Sequence, residues 1–337
     1  MQASKQVPFS NTALVDAGRP SVLLIGAANM DISGSTSHRL TPGDSMPGKV
    51  RCAAGGVARN VAENLARLAH GVYFLSAVGD DMHGRSLLES TRNAGVDVSG
   101  CWILGDQATS SYVSLHGPDG DMLAAVNDMS VLDHITPERL APYAGRMADA
   151  AALMLDCNLS EAALAWLFAH ARDKPVFVDV VSAFKCRRIL PWLSRVHTLK
   201  ANRIEAEALW GQPVRTDTAL ESAARWLHAQ GVGHVVLSLG ARGVYWSANG
   251  GDKGWQTAVP ISVVNATGAG DALMAGLLHQ HLCGSSLEQA LPFALACAAM
   301  TLTTTQANHA ELSVAAVRKL CNSGNPHASK PLSRHSS

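Results

Sequence analysis

Short apolar runs alternate along this chain with longer stretches in which apolar positions recur at helical spacing. The runs are Ser21–Ile25 (SVLLI), Tyr73–Val78, Ala152–Leu155, Pro175–Val178, Thr198–Lys200 and Val235–Ser238, and four of them are followed directly by Gly or Asp. Between them Val57–Ala69, Gly84–Ala94, Glu161–Ala171, Arg203–Trp210 and Thr218–Gln230 place apolar residues on one helical face. A strand that is apolar at every position has both faces covered, and strands separated by helices pair in parallel. The pattern therefore predicts the α/β class, with a doubly wound, mostly parallel sheet.

Two segments interrupt the alternation. Ile32–Ala54 contains Gly34, Pro42, Gly43, Pro47 and Gly48 and has no helical period, and Thr109–Asn127 reads as a hairpin turning at Pro118-Asp119-Gly120. Both join the main body where polar residues gather, so together they are expected to form a small β lid over a cleft. The expected division is a discontinuous core of residues 21–31, 55–105 and 129–322, a lid of residues 32–54 and 106–128, and flexible tails of residues 1–20 and 323–337.

With 47% hydrophobic and 16% charged residues, the 337-residue chain has ample material for a core, which excludes disordered and fibrous classes. Lys plus Arg and Asp plus Glu balance at 27 each, so no net field draws the chain to nucleic acid or to a membrane surface. The seven cysteines lack a C-x-x-C pair and ligand-spaced histidines, which argues against a zinc site or a disulfide framework and for a reducing, cytoplasmic setting. Residues 1–20 have no apolar segment of export type, and no run reaches the roughly 18 apolar residues of a spanning helix. The 14 histidines are expected at the surface or at caps.

Chemistry concentrates in Val264–Leu278, VNATGAGDALMAGLL. Thr267, Gly268, Ala269 and Gly270 form a turn that opens a helix, where unpaired N–H groups and small side chains suit a phosphate. Asp271 then lies in the first turn. An acid beside an anion is unfavourable unless an attacking alcohol must lose its proton there, but a Gly-Asp pair also begins helices by simple capping, and spacing alone does not choose. Polar residues follow nearly every strand: Asn29 and Asp31, Asp156 and Asn158, Asp179 and Ser182, Asn202 and Glu205, Gly240 and Gly243. In open α/β sheets ligands bind at those ends. No G-x-x-x-x-G-K-[ST], H-E-x-x-H or G-x-S-x-G motif is present.

GGVARNVAENLARLA and NATGAGDALMAGL resemble the two signatures of the ribokinase-like (PfkB) family of sugar and nucleoside kinases, and Asn202-x-x-Glu205 resembles its magnesium-associated motif. The likeness runs from about Val22 to Leu320, and DCNLSEAALAWL, DVVSAFKC and LKANRIEAE narrow it toward members that act on pseudouridine. The resemblance implies ATP-dependent phosphorylation of a nucleoside 5′-hydroxyl; ribose, uridine or another nucleoside is the alternative acceptor, and a non-catalytic binding regulator the alternative role. By the same resemblance Asp271 is the general base, and the Gly268, Ala269 and Gly270 amides hold the transferring phosphoryl group. Asn29, Asp31, Gly55, Gly56 and Asn60 match ribose-binding positions, while Asn202, Ser238, Gly240, Gly243 and Thr267 match the nucleotide side. Glu205 with Asn202 would organise Mg2+ through water. Arg59 on the nucleotide side and Lys185 on the substrate side are the cations expected to touch phosphate.

Ser111, Asn127 and Asn158 carry oxygens that would accept the extra ring N–H of pseudouridine. Asn265 replaces the usual family aspartate, and a carboxamide is a weaker cation ligand, which puts K+ activation in doubt. A homodimer through the lid is the expected assembly.

Overall fold

The structure is a computed structural model that describes residues 21–41 and 43–323. The expected tails, residues 1–20 and 323–337, lie outside the described residues except for Ser323. The strands are β1 (Ser21–Ile25), β2 (Asn29–Ser35), β3 (Lys49–Gly55), β4 (Gly71–Leu75), β5 (Ala77–Gly79), β6 (Trp102–Leu104) and β7 (Ser111–His116) in the first part of the chain. They continue as β8 (Met122–Asp128), β9 (Ala152–Asp156), β10 (Val176–Asp179), β11 (Thr198–Asn202), β12 (His234–Ser238), β13 (Val244–Ala248) and β14 (Lys253–Gln256).

Eight strands form the main sheet in the order β14-β13-β12-β11-β10-β9-β1-β4. Its pairs are parallel from β12 to β4 and antiparallel at β12–β13 and β13–β14. Strand periodicity divides the core in two. Leu23, Ile25, Leu153 and Leu155 pack with Leu164, Leu167 and Leu227 on one face, while Val22, Leu24, Ala152 and Met154 pack with Val61, Leu65, Met274 and Leu278 on the other. Helices Glu161–His170 and Asp217–Ala229 thus cover one side, and Val57–Arg67 and Ala269–Leu282 the other. This is the doubly wound α/β sheet expected from the sequence.

The structure refines the expected elements in three places. Ile32–Ala54 holds most of β2 and β3, which pair antiparallel as a small sheet requires, because Gly43, Pro47 and Gly48 fall in the connection and leave the residues of β2 and β3 free to pair. The run Tyr73–Val78 is broken at Ser76: β4 ends in the main sheet, and β5 pairs instead with β6. β13 and β14 add a hairpin that turns at Asn249-Gly250-Gly251, where Gly251 has φ 104°.

β3, β2, β7 and β8 form a second sheet. Its register gives the two faces opposite character. Ile32, Val50, Cys52, Val113, Leu115 and Val126 share one face, whereas Asp31, Arg51, Tyr112, Ser114 and Asn127 share the other. The apolar face is open to solvent, with Val50 73% and Val126 72% exposed. Asp31 and Asn127 therefore look toward the main body, at the carboxyl ends of β1, β9, β10, β11 and β12.

Candidate active site

The helix Ala269–Leu282 begins at Gly268, which has φ 80° and offers no side-chain cap. A side chain at Gly268 is excluded, since a Cβ there would run into the backbone of Ala307. First-turn N–H groups are thus left without a capping side chain, as an anion site requires. Asp271 is not the cap. Its carboxylate, 8% exposed, takes a hydrogen bond from Asn60 Nδ2 at 2.7 Å. Burial and the nearby Asp179 push its pKa up to about 7, against the opposing pull of Lys200 and of the Asn60 bond.

Lys200, in the middle of β11, pairs with Asp179 at 2.6 Å, and both are buried. Its Nζ also stands where a side chain at Gly270 would begin, so a fixed ammonium lies against the turn. Burial works against that charge, but Asp179, Glu205 and Asp271 together hold the Lys200 pKa above its ordinary value. A buried carboxylate, an ammonium and uncapped helix N–H groups meet in one place. Such a group can accept a proton and stabilise developing negative charge at once.

On the expected ribose side, Asn29 Nδ2 donates to Asp31 Oδ1 at 2.6 Å. The glycine pair has an internal reason. Gly55 leaves room for the Asp31 carboxylate, and Gly56, at φ 102°, lies against the Ala27 backbone. Beneath them the fully buried Asp156 accepts backbone N–H bonds from Ala27, Ala58 and Asn158 at 2.8, 3.1 and 2.9 Å. It fastens the turn after β1, the start of the helix Val57–Arg67 and the loop after β9 to one another. Arg59 is not a phosphate contact: it is 2% exposed and bonded to Glu63, Asn60 and Asn308. Helix periodicity turns position 59 inward while leaving Asn60 beside Asp271.

Lys185, Asn158 and Asn127 do come together. Lys185 Nζ donates to Asn158 Oδ1 at 2.6 Å and to Asn127 Oδ1 at 3.4 Å, bridging the core and β8. Each carboxamide oxygen keeps a second lone pair for a ligand. Ser111 does not join them, because it pairs with Met30 and so belongs to the face of the second sheet opposite Asp31 and Asn127.

On the expected nucleotide side, Asn202, Ser238 and Gly240 line a cavity of about 340 Å³ together with Arg203, Arg215 and Arg242. Gly243 is not open to it, since a side chain there would meet the Gln256 backbone of β14. Thr267 is exposed, with its N–H bonded to Asn265 Oδ1 at 3.1 Å. Asn202 and Glu205 form a reciprocal capping box at 2.9 and 2.7 Å. That box uses Asn202 Oδ1 and Glu205 Oε2, which leaves Glu205 Oε1 for a water-held ion. Among the described residues no group of three His, Cys, Asp or Glu side chains converges.

Lys200, Asp179, Asp156 and Asn308 complete the site without having been assigned roles from the sequence. A lysine inside the apolar run Thr198–Lys200 was the available signal, because a buried ammonium requires partners. Asn308 had none, lying in a polar stretch far from Asn60.

The family model described as pfkB family carbohydrate kinase matches residues 19–313. The chain is 43% identical over 299 residues to the pseudouridine kinase of Escherichia coli K12, covering 89% of this chain and 96% of that protein. It is 41% identical over 291 residues to an uncharacterised sugar kinase of the same strain, covering 86% and 80%. Among solved structures, a carbohydrate kinase from Agrobacterium tumefaciens superposes with TM-score 0.77 at 30% identity, covering 90% of this chain and 97% of that one. Arabidopsis thaliana ribokinase complexed with ribose and ATP superposes with TM-score 0.82 at 24% identity, covering 90% and 99%, a likeness of fold.

Proposed function

The chain belongs to the pfkB family of carbohydrate kinases, and from that footing we propose that it transfers the γ-phosphoryl group of ATP to the 5′-hydroxyl of pseudouridine. The observation that carries the chemistry is Asp271: a buried carboxylate at an uncapped helix N-terminus, with Lys200 against the same turn and Asn60 bonded to it. The substrate rests on the 43% identity to a pseudouridine kinase over nearly the whole of both chains.

In this reading the 5′-hydroxyl gives its proton to Asp271 as its oxygen attacks the γ-phosphorus, the new O–P bond forms, and ADP leaves. The N–H groups of the helix start and Lys200 face the charge that grows on the phosphoryl oxygens. Asp31, Asn29 and Asn60 supply the donors and acceptors that ribose hydroxyls need. When bound, Mg2+ neutralises phosphate charge, and Glu205 with Asn202 would hold it through water. A chain freed from turnover has no use for a carboxylate kept buried beside an anion turn, which weighs against the non-catalytic regulator.

The acid limb of kcat/KM for the nucleoside is expected near pH 7. Asp271 must be ionised to accept the proton, and its pKa is raised to about 7, so activity falls as pH drops through that value and is retained above it. Initial rates across pH 5 to 9, with about tenfold steps in free base for each unit below the limb, check this. A limb below pH 5 contradicts it.

Pseudouridine differs from uridine by a free ring N–H. Asn127 and Asn158, fixed by Lys185, present oxygens to it. Asn265 donates from Nδ2 to the Thr305 carbonyl at 3.2 Å, and a neutral amide is a weaker cation ligand than a carboxylate. The proposal accordingly includes no K+ requirement.

The enzyme works as a cytoplasmic homodimer in this reading, supported by the exposed apolar lid face, which a second copy of the same sheet would cover. Val113→Asp with Val126→Asp is expected to yield monomers by sedimentation equilibrium; an unchanged mass rules out that face. The activity itself is tested by ADP release from ATP and Mg2+ with ribose, uridine, pseudouridine, cytidine and adenosine in turn. Release with pseudouridine above the others supports the assignment, and release with none removes it.

A further inference from the structure

Arg59 is 2% exposed, and a charge buried to that degree needs a reason. Arg59 Nη1 donates to Glu63 at 3.0 Å, and Nη2 donates to Asn60 Oδ1 at 2.7 Å and to Asn308 Oδ1 at 2.6 Å. Asn308 Nδ2 in turn donates to the backbone carbonyl of Asn60 at 2.9 Å. Asn308 follows the helix Leu287–Leu302, on a loop that also backs the anion turn. Thr305 there accepts from Asn265, and the Ala307 backbone closes on Gly268.

A carboxamide can present either its oxygen or its nitrogen to a given neighbour. At Asn60 the choice is forced from behind. A guanidinium only donates, so Oδ1 must face Arg59, and Nδ2 is thereby turned to Asp271, which as a carboxylate only accepts. Asn308 is fixed by the same logic, its oxygen on Arg59 and its nitrogen on the Asn60 carbonyl. Glu63 alone would satisfy an arginine on a helix surface; burying the charge costs free energy, which the orientation of Asn60 gives a purpose.

We infer that Arg59 and Asn308 are positioning residues, holding the Asn60 carboxamide in the one orientation that donates to Asp271. The inference rests on the assignment of Asp271 as the base. The groups facing Asp271 are Asn60 from the helix Val57–Arg67, Asp156 from β9, Asp179 from β10 and Lys200 from β11, with the charge of Arg59 behind Asn60. Of these, Asn60 and Lys200 favour the ionised acid, and Asp156 and Asp179 oppose it. Releasing Asn60 therefore leaves the opposing carboxylates with more weight.

Asn308→Ala and Arg59→Lys, the latter keeping the charge and losing the fork, are each expected to lower kcat by about ten- to hundredfold, with KM for ATP within about threefold. In both, the acid limb of kcat/KM moves to higher pH by about half a unit or more. Thermal melting is read alongside; should Arg59→Lys not fold, Asn308→Ala decides. Parent turnover and an unmoved acid limb in a folded variant overturn the inference, and so does a rate loss with the acid limb unmoved, which marks a structural role only. Asp271→Asn in the same series separates the two levels: if it stays active, the base assignment fails and this inference with it. If it is inactive while Asn308→Ala is normal, the positioning role alone fails.

Discussion

Replacing Asp271 by asparagine is expected to lower kcat by about a hundred- to ten-thousandfold, with the nucleoside KM changed by no more than about threefold. The side chain keeps its size and its place in the first turn of the helix Ala269–Leu282, so neither the fold nor the approach of the sugar is disturbed. What is lost is a group able to take a proton. The amide also confronts Asn60 Nδ2 with a neutral partner, and rotating to offer its oxygen preserves the 2.7 Å bond seen with the carboxylate. Initial rates with saturating ATP separate kcat from KM. Near-parent turnover would remove Asp271 from the reaction and reduce it to a structural acid.

Lys200→Met should cost about a hundred- to thousandfold in kcat, the usual loss when one preorganised charge at a transition state is removed. The geometry behind this is the ammonium standing against Gly270, in the turn that would hold the phosphoryl group. The single variant has a second effect, since it leaves the buried Asp179 without its cation, and breaking a buried pair costs about 3–5 kcal/mol of stability. Asp179→Asn combined with Lys200→Met removes both charges and is expected to recover the melting temperature but not the rate. Because Lys200 also favours ionised Asp271, rates are compared at pH 9, above the acid limb. If the double variant turns over like the parent, Lys200 is only a counter-ion to Asp179.

Most of the fold was legible because parallel strands buried on both faces have no polar positions to blur them: Ser21–Ile25 and the helix Arg203–Trp210 were read with the bounds that the structure has. The strands of the second sheet were harder, since β2 and β3 alternate on a sheet with one solvent face and carry serines and glycines in place of a clean pattern. At the site, short local motifs singled out Asp271, Asn60, Asp31 and the Gly268 turn as candidates, each from residues adjacent in sequence. Contacts between distant segments were not readable in this way. Arg59 looked like an available cation because its partner Asn308 is 249 residues away, and the register that places Ser111 on the face opposite Asp31 is set by pairing with β2. Gly243 was misread for a similar reason, its constraint being the backbone of β14 rather than a ligand.

The central claim, a kinase whose pocket selects pseudouridine, is tested most directly by competition. Pseudouridine and uridine are mixed at equal concentration with limiting ATP and Mg2+, and the two monophosphates are quantified as they form, which gives the ratio of kcat/KM values without separate saturation curves. A pocket acceptor left unpaired by uridine is worth about 1–3 kcal/mol, so the account predicts pseudouridine 5′-phosphate in excess by roughly five- to hundredfold. Equal amounts of the two products, or an excess of uridine 5′-phosphate, would contradict it.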